Sequence, residues 1–287
     1  MKARKARMMK NLIADRFHGV PLMLDRVRGL ALLKKLGSAE FLPSPRADED
    51  DDEDRITWQD IFAPREKMRI GSDGIAKISV TGMLGSKLEK VYEKLGLATN
   101  YETIQAEIAA AVEGGAKGIL FSVDSPGGMV MGSYEAVEAI RGISIPKASH
   151  TSGQEASAAY LLGSSVGQVF STASAMVGSI GVIITFYDYS KLAEGMGIEP
   201  VVIASGDLKG TGVMGTSLSD AQYEYLKEIV MEAFGVFAGS VRSDRGAVDD
   251  DSMRGQMFSA NEGMKRNLVD AIASEAEVRG WLVEQAG

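Results

Sequence analysis

The sequence predicts an α/β fold built around a mainly parallel β-sheet. Three observations support this prediction: short apolar runs alternate with helical segments from about residue 66 onward, glycine is abundant, and the glycines cluster between the apolar runs. Strands that alternate with helices at this spacing are typical of βαβ units. The 33 glycines among 287 residues suit tight turns and close approach of the backbone.

The apolar runs and the periodic segments locate the individual elements. Short apolar runs between turn signals predict the strands Ile75–Val80, Gly118–Val123, Lys147–Thr151, Gln168–Ser171, Val182–Tyr187 and Val201–Ala204. Apolar residues that recur every three to four positions predict the helices Tyr101–Glu113, Ser133–Arg141, Ser157–Gly163, Tyr187–Met196 and Ser219–Val241.

The region before residue 66 differs in composition and predicts two further parts. Residues 1–46 form a basic leader, and residues 1 to about 40 are predicted as an amphipathic helix because apolar and basic residues alternate there. Residues 47–65 contain the acidic run Asp48–Asp54, whose like charges predict a solvated linker. An acidic docking or autoinhibitory segment is the alternative. Residues 66–287 are predicted as the main domain.

The charge and the residue types that are scarce exclude several functions. A net charge of −8 gives no electrostatic reason to expect a nucleic-acid partner. Cysteine is absent, which excludes disulfides, thiolate nucleophiles and cysteine-ligated metals. The only two histidines are His18 and His150, too few for an ordinary zinc hydrolase. A lone histidine at a strand end is typical of a structural residue rather than a catalytic base.

The leader does not have the composition of a signal peptide. Its basic start is followed by Asp15, Arg16 and His18, which interrupt any apolar core of that kind. No stretch reaches the roughly 18 apolar residues that a membrane helix requires. We therefore expect a soluble, cytoplasmic protein that does not act at a membrane.

Three segments could carry chemistry. Ser125-Pro126-Gly127-Gly128 follows a buried strand and suits an oxyanion hole, although an ordinary βα turn fits the same residues. Ser157 lies among small residues where a strand meets a helix, as a nucleophile or as a helix cap. Lys209 lies in a loop of small residues, and a neutral lysine there could serve as the base. Most lysines are surface residues, which is the alternative for Lys209.

Together, these segments resemble the signal peptide peptidase A (protease IV) family of serine peptidases, and are most similar to the branch that tailed bacteriophages use as head-maturation proteases. The resemblance runs from about Gly74 to Asp270 and rests on five motifs in order. They are Asp124–Gly128, Ala156-Ser157-Ala158-Ala159-Tyr160, Val177-Gly178-Ser179-Ile180-Gly181-Val182-Ile183, Ser205-Gly206-Asp207-Leu208-Lys209, and Met257-Phe258-Ser259-Ala260 followed by Asn267-Leu268-Val269-Asp270.

The resemblance implies a site and a fold. It implies Ser157 as nucleophile, Lys209 as general base, Ser179 as the residue that holds the lysine amine, and an oxyanion hole from Gly127, Gly128 and Ala158. It also implies a Clp/crotonase-like layered fold of repeated ββα units, assembled into homo-oligomers, without metal or organic cofactor. Substrates are expected to be peptides or proteins, namely phage scaffold and capsid proteins in the immature head.

Two features depart from the family pattern. Ala158 and Ala159 replace the usual glycines, and Glu155 stands where a small apolar residue is usual. Alternatives also remain at this point: a signal-peptide-peptidase-like cytoplasmic protease, a crotonase-type acyl-CoA hydratase or isomerase, or a catalytically silent shell component. A Clp-type Ser-His-Asp peptidase expects a histidine some 25 residues after the serine, and the sequence near Val182 has none.

Overall fold

The structure, a computed structural model, describes residues 22–24 and 65–287. Its strands are β1 (Leu22–Leu24), β2 (Arg69–Ile70), β3 (Ile75–Gly85), β4 (Ala98–Asn100), β5 (Gly118–Met129), β6 (Lys147–Ala156), β7 (Val169–Ser171), β8 (Met176–Gly178), β9 (Met257–Ser259) and β10 (Ala271–Ile272). Its α-helices are α1 (Lys90–Lys94), α2 (Tyr101–Glu113), α3 (Ser133–Arg141), α4 (Ala158–Val166), α5 (Ser190–Gly195), α6 (Asp220–Arg245), α7 (Ala260–Lys265) and α8 (Glu275–Gln285).

The described strands form one sheet that is mostly parallel, as the sequence predicts. Its central order is β10–β7–β6–β5–β3–β2, and every pairing from β10 to β3 is parallel. Strand β4 is a parallel neighbour of β3, and β8 is a parallel neighbour of β6. The antiparallel pairs are β2 with β3, β8 with β9, and β1 with β5.

The buried helix α4 packs directly on the centre of the sheet. All nine of its residues are buried, so it is covered by α3 and α6 on its outer side. Its apolar residues join those of β3, β5, α2 and α3 in one core, which includes Tyr101, Phe121, Tyr160 and Phe237. Because α4 begins at residue 158, this packing fixes the position of the serine that precedes it.

A buried ion pair joins the end of α6 to the last motif of the chain. Arg245 donates to Asp270 at 2.8 and 3.0 Å and to the carbonyl of Gly167 at 2.8 Å, and only 3% of its side chain is exposed. Asp270 also accepts from the N–H of Val169, the first residue of β7, at 2.7 Å. The motif that ends at Asp270 therefore connects α6 to the sheet.

Several predicted elements differ from the observed ones. The runs Val182–Tyr187 and Val201–Ala204 are not strands, and the predicted helix Tyr187–Met196 is reduced to α5. Val201 and Ile203 are 80% and 95% exposed, so these apolar side chains find no sheet to pack on in the single chain. Leu22–Leu24 form a strand rather than part of the predicted leader helix. The rest of the leader and nearly all of the predicted linker lie outside the described residues.

Among the described helices, none combines the length and hydrophobicity that spanning a bilayer requires.

Candidate active site

Ser157 occupies a sharp turn between β6 and α4. Its backbone has φ 55° and ψ −119°, a region that non-glycine residues rarely adopt and that costs on the order of 1–3 kcal/mol. The turn is held because Ser157 N–H donates to the carbonyl of Gly178 at 2.7 Å, while the Ser157 carbonyl accepts from Leu161 N–H at 2.9 Å. A strained strand-to-helix turn of this kind is typical of a nucleophile elbow.

The Ser157 hydroxyl is chemically unusual for a buried group. The residue is fully buried, and its Oγ has no hydrogen-bond partner among the described residues. An unpaired buried hydroxyl costs about 1–3 kcal/mol, so stability alone does not explain a serine here. Strain and an unsatisfied polar group at one residue together point to a functional side chain.

Ser179 lies beside this elbow, at the end of β8. Strand β8 pairs with the last residues of β6, which brings Gly178 opposite Ala156. Ser179 is 4% exposed, and it too has a positive φ of 55°. Its N–H donates to the carbonyl of Gln256 at 2.7 Å, which anchors the turn to the approach to β9. The structure therefore brings Ser157 and Ser179 to the same place.

The predicted oxyanion turn lies at the same end of the sheet. Ser125 of β5 pairs with Glu155 of β6, two residues before the elbow. The Ser125 hydroxyl donates to the carbonyl of Gly82 at 2.6 Å and accepts from the N–H of Gly127 at 3.1 Å. Gly127 has φ 94°, and a Cβ on Gly128 would collide with the backbone of Leu84. Glycine is thus required at both positions by geometry.

The predicted oxyanion donors differ in whether their N–H groups are already hydrogen-bonded. The Gly127 N–H is committed to Ser125, so in this state it shapes the turn rather than facing a substrate. Ala158 is the first residue of α4, and the N–H of a first helical residue has no acceptor within its own helix. The positive end of the helix dipole adds to this N–H, and both favour negative charge next to Ser157.

Lys209 is not brought to this site in the single chain. It lies in turns between α5 and α6, is exposed, and is not a partner of the Ser157 hydroxyl. The segment is tied to α6 by the side chain of Gln222, which donates to the carbonyl of Asp207 at 3.0 Å. The geometry thus joins Ser157, Ser179 and the glycine turn, whereas Lys209 is exposed and makes no hydrogen bond to the Ser157 hydroxyl.

His150 has a structural contact rather than a catalytic one. It is 2% exposed, and its Nε2 lies 3.1 Å from the carbonyl of Ala273, just after β10. Burial lowers the pKa of His150, which favours the neutral ring in this position. Within residues 22–24 and 65–287, no group of three or more His, Asp or Glu side chains is arranged to hold a metal ion.

Glu155 is buried directly behind the nucleophile elbow. It is fully buried, packs against Gly163 of α4, and accepts a hydrogen bond from the Ser149 hydroxyl at 3.1 Å. Burial raises the pKa of Glu155 to about 8, and the Ser149 hydrogen bond and the positive charge of Arg245 only partly oppose this. The carboxyl group therefore carries a proton at neutral pH.

This burial predicts a pH-dependent stability. The native carboxyl keeps its proton up to about pH 8 and the unfolded one only to about 4.5, so the native state binds more protons between these values. The free energy of unfolding should then fall as the pH rises through this window, by up to about 1.4 kcal/mol per unit. Glu155→Gln should remove that slope in urea unfolding, whereas the exposed control Glu284→Gln should keep it. An unchanged slope in Glu155→Gln would show that the carboxyl is ionised when buried.

Two features of this site were missed from the sequence. The role of Ser125 as a brace within the glycine turn depends on its distance to Gly82, which no local pattern reveals. The burial of Glu155 was not predicted either, because a charged residue type gives no local signal of burial and the last three residues of β6 are all buried without alternation.

The chain is similar to one known protein family and to several individual proteins. A family model described as Peptidase family S49 matches residues 140–287, slightly more than half of the chain. A putative signal peptide peptidase SppA from Enterococcus faecium is 29% identical over 214 residues, covering 69% of this chain and 59% of that protein. The capsid assembly protease C of Escherichia phage lambda is 27% identical over 294 residues, covering 94% of this chain and 65% of its own length.

A third relative is the head-tail preconnector protein GP5 of Enterobacteria phage P21, which is 25% identical over 286 residues. That alignment covers 94% of this chain and 56% of the relative. The chain thus spans between about half and two thirds of the length of these three relatives.

Proposed function

The chain belongs to peptidase family S49, and we infer that it is a serine endopeptidase in which Ser157 is the nucleophile and Lys209 the general base. The single observation that carries this proposal is the buried, strained and unpartnered Ser157 hydroxyl beside a glycine turn. A crotonase-type hydratase needs such a turn but has no use for a serine in this state. The family and the elbow together favour acyl transfer through a covalent serine ester.

The proposed mechanism has two steps. Ser157 Oγ attacks the peptide carbonyl while its proton passes to neutral Lys209 Nζ, and that proton then goes to the leaving amine as the C–N bond breaks. Water next attacks the ester and gives a proton to Lys209, which passes that proton to Ser157 Oγ as the C–O bond breaks and the acid is released, so that both side chains return to their starting states. Backbone N–H groups at Ala158 and in the Gly127–Gly128 turn would stabilise the oxyanion, each good donor contributing about 3–4 kcal/mol. No metal or organic cofactor takes part in these steps.

This mechanism requires Lys209 to reach Ser157. We propose that assembly of several copies of the chain brings the two residues together. The segment that carries Lys209 and the start of α6 expose many large apolar side chains, and contiguous apolar surface of this kind is typical of interfaces. They include Tyr187, Leu192, Met196, Ile198, Val201, Ile203, Met214, Tyr223 and Met231. We propose that copies of the chain cover this surface in a homo-oligomer, and that Ser179 then holds the Lys209 amine in line with Ser157.

The assembly proposal predicts that a charge on the exposed apolar surface dissociates the oligomer. Ile203 is 95% exposed, so Ile203→Asp should leave the fold intact but reduce the mass measured by sedimentation velocity, with a parallel loss of peptidase activity. Val112→Asp is the matched control, because Val112 is also exposed but lies on α2, away from the Lys209 segment. Equal masses for both variants would contradict the proposal. An equimolar mixture of Ser157→Ala and Lys209→Ala chains would further show which copy supplies the lysine.

The proposed substrates are scaffold and capsid proteins of a phage or prophage, processed in the host cytoplasm within the immature head. The support is that the lambda relative is a capsid assembly protease and aligns with nearly the whole of this chain. We propose that the fold is of the Clp/crotonase-like layered type. The leader spans residues 1–46, the acidic linker residues 47–65 and the peptidase domain residues 66–287. Neither nucleic acid nor a membrane is needed for this activity.

Co-expression tests the substrate class. Wild type, Ser157→Ala and Lys209→Ala would each be expressed with the scaffold and capsid proteins of the same gene cluster, and the products separated on a gel. Cleavage by wild type alone supports a Ser-Lys head protease. Cleavage of exported signal peptides in place of head proteins would favour the peptidase type of the Enterococcus relative. Cleavage of neither by wild type would favour a silent shell component.

A further inference from the structure

The end of β5 has an open edge next to the candidate nucleophile. Strand β6 pairs with β5 up to Ser125, opposite Glu155, and then turns away into the elbow at Ser157. On the other side, β3 continues to pair with β5 as far as Gly128. The backbone of Gly127–Met129 therefore has a partner strand on one side and, on the side of β6, an edge that a further strand could join.

A strand from the leader joins β5 at this edge. Leu22–Leu24 runs antiparallel to β5, with Leu22 opposite Met129, Met23 opposite Gly128 and Leu24 opposite Gly127. The 40 residues 25–64 connect this strand to the described domain, so the pairing joins segments that are far apart in the sequence. It uses the backbone of the same glycines that form the candidate oxyanion turn.

An extended peptide bound beside this turn would use the same backbone groups. Adding a strand to an exposed sheet edge is a common mode of peptide recognition, in which main-chain hydrogen bonds supply affinity. A scissile carbonyl must lie within reach of both Ser157 and the turn, and the edge of Gly127–Met129 includes the two glycines of that turn. The leader strand and a substrate would therefore compete for one edge.

We propose that residues Leu22–Leu24 are an internal competitor that occupies the peptide-binding edge at Gly127–Met129 and keeps the site closed until a substrate strand displaces them. The proposal rests on the proposed peptidase function for the nature of the substrate. Ser157 is fully buried, so a part of the protein must move before a peptide can reach it, and the proposal assigns that movement to the strand at the adjoining edge. The substrate class it indicates is an extended peptide with apolar residues, like Leu-Met-Leu itself.

The pairing between the leader strand and β5 is expected to be weak enough for a substrate to displace it. A three-residue strand is short, so its own affinity for the edge is low. Its connection to the domain raises its local concentration to roughly the millimolar range, enough to compete with a dilute peptide. Substrate crowded into one particle would reach comparable concentrations and open the edge. The expected effect of removing the strand is about a ten-fold gain in apparent peptide affinity.

Peptide binding to an inactive chain tests the proposal. The probe is a fluorescent peptide of residues 18–28, titrated by anisotropy into full-length Ser157→Ala with and without Met23→Pro. Proline lacks the N–H that a strand pairing needs, so Met23→Pro should bind the probe about ten-fold more tightly. Ala39→Pro, which places proline in the leader outside the strand, should bind like the parent. Equal affinity for all three chains, or no binding to Met23→Pro, would overturn the proposal.

Hydrogen exchange gives a second test that needs no peptide probe. In full-length Ser157→Ala, the proposal expects slow exchange of the Gly127–Met129 amides facing the leader strand, and at least ten-fold faster exchange in Met23→Pro. Fast exchange in the unaltered leader would contradict it. Both tests use a chain that cannot cleave, so they do not depend on catalysis. Failure of the proposed peptidase would appear separately, as absent hydrolysis by the chain with Ser157 intact.

Discussion

Ser157→Ala should lower peptide hydrolysis by at least about 10⁴-fold while leaving the protein as stable as wild type or more so. Loss of a nucleophile removes the covalent route and leaves only the contributions of binding and oxyanion stabilisation. Stability should not fall, because the Ser157 hydroxyl is buried without a partner and its removal relieves that cost. Activity and the free energy of unfolding would be measured on the same preparations.

A serine in the same helix provides the control. Ser164 is also fully buried in α4, but its hydroxyl donates to the carbonyl of Leu161 at 3.0 Å. Ser164→Ala should lose about 1 kcal/mol of stability and keep its activity. The opposite pattern, with activity retained in Ser157→Ala and lost in Ser164→Ala, would refute the assignment of the nucleophile. Ser157→Gly should also gain stability, since glycine tolerates the positive φ at this position.

Asp270→Ala should destabilise the fold by about 3–5 kcal/mol. The change removes both carboxylate contacts to Arg245, whose side chain is 3% exposed, and leaves a buried positive charge without its partner. The Val169 N–H loses its acceptor as well. Urea unfolding measures the loss.

An exposed ion pair serves as the comparison. Asp250 pairs with Arg242 on α6, but the Asp250 side chain is 93% exposed, so Asp250→Ala should cost less than about 1 kcal/mol. The double variant Arg245→Met with Asp270→Leu should be more stable than Asp270→Ala, because it leaves no unpaired charge in the interior. A loss for Asp270→Ala no larger than that for Asp250→Ala would show that Arg245 is solvated.

The central strands could be predicted because they are apolar runs buried on both faces. β3 and β5 were located from such runs, but both extend further than predicted, to Gly85 and Met129. The added residues include Gly82, Gly85 and the run Ser125-Pro126-Gly127-Gly128, which are of types that local propensity assigns to turns. They continue as strands because neighbouring strands pair with them, and that pairing is not visible in a local window.

The elements that were wrong share one physical cause. Val201–Ala204 is as apolar as a strand, yet its large apolar side chains are exposed in the single chain. Hydrophobicity alone predicted that this segment is buried, but it did not identify a surface that buries it. Leu22–Leu24 fits either a helix or a strand over so short a run, and a partner more than 100 positions away decides the outcome. In both regions the outcome depends on whether a distant partner is present, which the local sequence does not show.

The position of Ser157 between a strand and a helix was predictable, but the backbone geometry there was not. The motif around Ser157 indicated a serine at a strand-to-helix junction, and the structure places it there. The positive φ values of Ser157 and Ser179 could not be predicted, because serine rarely adopts them. The separation of Lys209 from Ser157 was equally hidden, because the loop that carries the lysine has no regular structure to fix its position.

Acylation of the full-length chain by a p-nitrophenyl ester of an apolar peptide tests the Ser157–Lys209 assignment most directly. We expect a burst of about one p-nitrophenolate per chain, with the acyl group located on Ser157 by peptide mass mapping, and an acylation rate at least about 10²-fold lower in Lys209→Ala. An acyl group on another residue would contradict the nucleophile, and an undiminished rate in Lys209→Ala would contradict the base.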